Sequence, residues 1–64
     1  MQFEKLSNDK LKELIIALYN ECDRVEKIQQ HIVEMTHDAE LEAYKRFGYD
    51  CEKIYDEYLR RKGQ

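Results

Sequence analysis

The sequence predicts an all-α chain, a long N-terminal helix of about residues 8–47 followed by a short one of about residues 51–62, assembled as a helical-bundle homodimer. Three observations carry that prediction. From Asn8 to Phe47 there is neither glycine nor proline, and good helix formers dominate. Within that span Leu11, Leu14, Leu18, Val25, Ile28, Ile32, Met35 and Ala39 occupy the a and d sites of a heptad register, interrupted only by Glu21. Gly48 then falls where a left-handed C′ residue would stop the helix, with Tyr49 placed to touch Tyr44 in a Schellman arrangement.

Each element has a legible start. Ser7 suits the N-cap of the first helix, Asp9 lies in its first turn, and Leu6 with Leu11 forms a hydrophobic staple. Residues Met1 to Leu6 read as a lead-in. Along the long helix a second stripe of Val33, His37, Leu41 and Tyr44 appears, out of phase with the a sites. Two arrangements are consistent with it. The helix breaks near Thr36-His37-Asp38, or it continues and packs one face on a partner chain and the other on its own C-terminal helix. The continuous helix is preferred, because that triplet holds no strong breaker. The C-terminal helix starts with Asp50 as cap and carries the stripe Cys51, Ile54, Tyr55 and Tyr58. Lys53–Glu57, Asp56–Arg60 and Glu57–Arg61 are i,i+4 pairs, and Arg60, Arg61 and Lys62 suit its negative end.

The short helix can cover the stripe from Val33 to Tyr44 but not the seam from Leu11 to Ala39. A second copy of the chain is the economical cover for that seam. The core supports the same expectation. Seventeen large aliphatic, Phe or Met side chains and five tyrosines in 64 residues leave a monomer marginal.

Composition narrows the function. A 64-residue chain reads as one helical domain, residues 1–64, with little material to wall a pocket, which argues against an enzyme. A net charge of −3 disfavours a protein built mainly to grip phosphate backbones. No membrane span or signal-peptide core is present, and Cys22 and Cys51 read as reduced thiols of a cytoplasmic protein.

No cofactor is expected. Glu34 and His37 have a Glu-x-x-His spacing seen in di-metal bundles, yet they point away from the seam, so a metal-binding bundle ranks third. His31 flanks the seam, and Cys22 lies too far along the helix from either histidine for a Cys–His dyad within one chain. Lys45, Arg46, Arg60, Arg61 and Lys62 are the candidate contacts of a runner-up, an RNA- or DNA-binding regulatory dimer.

The leading expectation is a non-enzymatic interaction protein, an inhibitor or adaptor such as phages and mobile elements encode, that binds a larger macromolecule stoichiometrically. Its candidate partner surface is Ile16 and Tyr19, off the seam, with the acidic row Glu34, Asp38 and Glu42. Ile16 and Tyr19 have two readings, a docking patch for another protein or a seat for the partner chain's terminal helix. The acidic row likewise serves either as a phosphate mimic or as a solubilising face.

Overall fold

A computed structural model describes residues 3–24 and 29–63, and every regular element among them is helical. Helix α1 spans Asn8–Arg24. It begins as its sequence requires, with the Lys10 amide donating to Ser7 Oγ at 3.2 Å and the Leu11 amide to the Ser7 carbonyl at 2.9 Å. Leu6 packs against the buried cluster that contains Leu11. The lead-in is part of the fold, because Phe3–Lys5 forms a 3₁₀ turn and Phe3 is buried.

Helix α2 spans Gln30–Phe47, so the expected helix of residues 8–47 is two helices. Helix α1 ends at Arg24 and α2 begins at Gln30, and Thr36–Asp38, the expected break, lie inside α2. Gln29 has extended backbone angles and no side-chain cap; its carbonyl accepts from the amides of Ile32 and Val33. Glycine, proline and strong capping residues are all missing from the sequence of residues 25–29. Packing of α1 against α2 outweighs the local preference for continuation.

Three contacts fix the direction of that packing. Cys22 Sγ lies 4.0 Å from Thr36 Oγ1, the Tyr19 hydroxyl donates to Glu40 at 2.9 Å, and Arg46 reaches Asn8 and Leu6. Partner numbers rise on α2 as they fall on α1, so the helices form an antiparallel hairpin. Ala39 and Ala43, both buried, let α2 approach Leu11 and Leu18 closely.

Gly48 ends α2 with φ +62° and ψ −138°, and its amide donates to the Tyr44 carbonyl. Only glycine adopts such angles without strain. The Tyr44 and Tyr49 rings meet edge to face at 5.8 Å, the contact the sequence predicts, although ψ −138° takes Gly48 out of the left-handed helical region that a Schellman turn uses. Gly48–Cys51 continues as a 3₁₀ turn, and α3 spans Glu52–Lys62 with no side-chain cap. Asp50, expected as the cap, pairs instead with Lys53 at 3.6 Å.

The main departure from expectation is where α3 packs. It lies on α1, not on the stripe from Val33 to Tyr44. Ile54 and Tyr58 are buried, the Tyr55 and Tyr58 rings each lie 5.4 Å from that of Tyr19, and the Tyr58 hydroxyl donates to Asp23. Neighbouring Arg61 and Lys62 pair with Glu13 and Asp23, ten positions apart on α1, so α3 crosses α1 rather than running beside it. At roughly 100° per residue, Leu14, Leu18, Leu11, Cys22, Ile15, Tyr19 and Ile16 cover about 200° of α1. That arc is wide enough for two neighbours, and α2 and α3 take it. The Cα envelope is 17 Å in its thinnest dimension, two helix layers. No helix among the described residues is long and apolar enough to cross a membrane.

Candidate functional site

The folded hairpin redistributes the residues that the sequence singled out. Of the expected seam, Leu11, Leu18 and Ala39 are buried inside the chain where α1 meets α2, and Leu14, Ile32 and Met35 are half-buried. Val25 and Ile28 lie outside the described residues. Among the described residues the buried part of the seam is therefore covered by the packing of α1 on α2 within one chain, so the argument that only a second copy can cover it does not hold.

Ile16, expected as partner surface, is 5% exposed. It belongs to the core, and Tyr19 is half-buried beneath α3. Burial raises the Tyr19 hydroxyl above its ordinary value, helped by its hydrogen bond to the Glu40 carboxylate. The acidic row is also broken. Glu42 accepts from Arg46 Nε at 2.9 Å, and its side chain is largely covered, which leaves Glu34 and Asp38 exposed.

The basic groups meet a similar fate. Arg46 is drawn into the packing by the Phe3 and Leu6 carbonyls, Asn8 and Glu42. Arg60 pairs with Glu57, Arg61 makes two 3.0 Å hydrogen bonds to Glu13, and Lys62 pairs with Asp23. Of the five candidate nucleic-acid contacts, Lys45 alone has no ion pair among the described residues. Glu34, His31 and His37 are exposed, and no cluster of three potential metal ligands occurs among the described residues. Both cysteines are free and half-buried.

The ion pairs between α1 and α3, together with the Glu57–Arg60 pair inside α3, predict a pH dependence. Hydrogen bonds from Lys62 and then Tyr58 hold the Asp23 carboxyl below its ordinary value; Arg61 does the same for Glu13, and Arg60 for Glu57. Stabilisation from these lowered carboxylates is present at neutral pH and is lost as the pH falls through their folded-state values. The hydrogen bonds to Asp23 also raise Tyr58 and Lys62, whose contribution is lost only as the pH climbs through their raised values, above about 10. The melting temperature is thus expected to be flat from about pH 5 to 9 and to fall on both sides. Asp23→Asn should flatten the acid limb in a circular-dichroism melt. An acid limb unchanged from that of the parent would show that Asp23 does not couple folding to pH.

What remains available to a partner is apolar. On α2, Val33, Leu41 and Tyr44 are 42%, 49% and 50% exposed, and Tyr49 extends the row. On α3, Tyr55 and Leu59 are exposed. Beside Tyr55 a groove of about 450 Å³ opens between α2 and α3, with Ile15 and Tyr19 of α1 beneath it. Its walls are Ala43, Cys51, Ile54 and Tyr55, and its charged residues are Glu40, Glu52 and Asp56. Three acids and no base line it. A larger groove of about 720 Å³ lies along the other side of α3, but acids and bases alternate around it and several pair with each other.

Position in sequence hides this groove, since its residues come from three helices. The available signal was Asp56, which the sequence pairs with Arg60; in the fold Arg60 turns to Glu57, and Asp56 has no ion pair among the described residues. Comparison with protein-family models, with curated proteins and with solved structures finds no match to the chain.

Proposed function

We propose that the chain is a small, non-enzymatic interaction protein of the cytoplasm that binds a larger protein stoichiometrically, as an inhibitor or adaptor. The acid-lined groove between α2 and α3 is the observation that supports this. It offers an apolar and aromatic floor of Ile15, Tyr19, Ile54 and Tyr55 inside a rim of Glu40, Glu52 and Asp56. A partner segment with one large apolar side chain flanked by lysine or arginine matches both properties. Tyr55 supplies contact area at low ordering cost, and Glu52 and Asp56 steer basic residues to the rim.

The engagement of Arg46, Arg60, Arg61 and Lys62 in internal pairs weighs against the nucleic-acid alternative, which needs cations free to meet phosphates. A tagged pull-down from host lysate, split into nuclease-treated and untreated halves, tests the two together. A discrete protein retained after nuclease is expected. Its affinity should fall about tenfold or more in a Tyr55→Ala, Asp56→Lys variant that keeps its helicity. Recovery of a nucleic acid with all protein lost on digestion would transfer the function to the basic clusters. Unchanged affinity in the variant would move the site away from the groove.

A further inference from the structure

We infer that the exposed stripe of α2 pairs with the same stripe of a second copy of this chain, antiparallel, about a two-fold axis level with residue 39 on the face opposite Ala39. This pairing does not rest on the groove, which lies on another flank of α2. Nor does it use the heptad seam, of which Leu11, Leu18 and Ala39 are buried within the chain.

Val33, His37, Leu41 and Tyr44 fall within roughly 80° of one another on α2, on the side turned away from Ala39 and Ala43. In an antiparallel pair centred level with residue 39, His37 stands opposite the partner's Leu41, and Val33 opposite the partner's Tyr44. The stripe is thus complementary to its own reverse, as a two-fold interface requires.

The charges on one flank agree. Antiparallel helices bring like flanks together, and on one flank Glu34 and Lys45 sit at opposite ends of the stripe. Glu34 then faces the partner's Lys45, and Lys45 the partner's Glu34, giving two symmetric ion pairs. Lys45 has no ion pair within the described residues, and Glu34 only a 3.4 Å contact from Gln30. Across the other flank Glu40 faces the partner's Glu40, a like-charge contact that the hydrogen bond each accepts from Tyr19 on α1 draws toward its own chain. Asp38 lies further round the helix, in water.

The size of the interface sets its strength. An 18-residue helix is about 27 Å long. Pairing such faces buries on the order of 1,000 Å² in total, the lower limit for a specific interface. A reversible dimer at micromolar concentrations follows.

Sedimentation velocity on the full chain from about 5 to 500 µM tests it. The parent is expected to move from 7.8 kDa to twice that mass across the range. Glu34→Lys places lysines opposite each other and should raise the dissociation constant about tenfold or more; Lys45→Glu should do the same with glutamates. The combined Glu34→Lys, Lys45→Glu chain should recover to within about threefold of the parent. Folding is not the limit for Glu34→Lys, because it replaces a like-charge i,i+4 neighbour of Asp38 with an attractive one. A parent that stays monomeric throughout overturns the inference, as does a double variant no better than the singles.

Discussion

Leu11→Ala is expected to leave the chain without a cooperative unfolding transition at room temperature. Leu11 is 0% exposed and sits where α1, α2 and the N-terminal 3₁₀ turn share one core with Phe3, Ile15, Ala39 and Ala43. Removing its isobutyl group costs the lost transfer energy plus a cavity that short helices cannot close, roughly 2–5 kcal/mol. A single core in a chain of this length supplies only about 3–5 kcal/mol in total. The loss therefore matches the whole stability. Leu41→Ala is the control: Leu41 is 49% exposed, and its truncation should stay within about 0.5 kcal/mol in a monomer. Urea unfolding followed by circular dichroism distinguishes the two. A Leu11→Ala chain that melts within a few degrees of the parent would mean that the core is built around other residues.

Arg46→Met has the next largest expected effect, through polar groups. The Arg46 guanidinium donates to the Leu6 carbonyl at 2.6 Å, the Phe3 carbonyl at 3.0 Å, Asn8 Oδ1 at 3.3 Å and Glu42 at 2.9 Å. It ties the lead-in and the start of α1 to the last turn of α2. The side chains of Arg46 and Glu42 are 17% and 15% exposed. Deleting the cation leaves a largely covered carboxylate and the Leu6 carbonyl without their donor, while the Phe3 carbonyl keeps only the Leu6 amide, a loss of roughly 3–5 kcal/mol if the site stays closed. Arg46→Lys should recover only part of this, since an ammonium lacks the planar fork that spans four acceptors. Adding Glu42→Leu to Arg46→Met should recover more, because the stranded charge is then gone. Exchange of the Leu6 amide, which donates to the Phe3 carbonyl, fast in Arg46→Met and slow in the parent, would place the damage at the clamp. Uniformly faster exchange with the lead-in still protected would argue against it.

Much of the architecture was legible because it is written in short-range chemistry. Ser7 as N-cap, Leu6 beside Leu11, Gly48 at the end of α2, the Tyr44–Tyr49 contact and the Glu42–Arg46 and Glu57–Arg61 pairs all lie within five residues of each other. The site was less legible. Ile16 and Tyr19 stood out correctly as apolar residues off the seam, but their cover is α3 of the same chain. Asp56, expected to pair with Arg60, instead lines the groove with Glu52 and Glu40, because Arg60 pairs with Glu57.

Helical class, the start of the first helix, the stop at Gly48 and the shortage of core material follow from composition, period and capping, which are properties of neighbouring residues. The reversal of direction from α1 to α2, the choice of α1 as the seat of α3, and the capture of Arg46, Arg61 and Lys62 by distant groups do not. A heptad stripe specifies that a face must be covered and is silent on whether the cover comes from the same chain or another. That choice belongs to the sum of long-range contacts, in which closing α1 on α2 buries Leu11, Ala39 and Ala43 together while α3 takes the rest of the α1 arc.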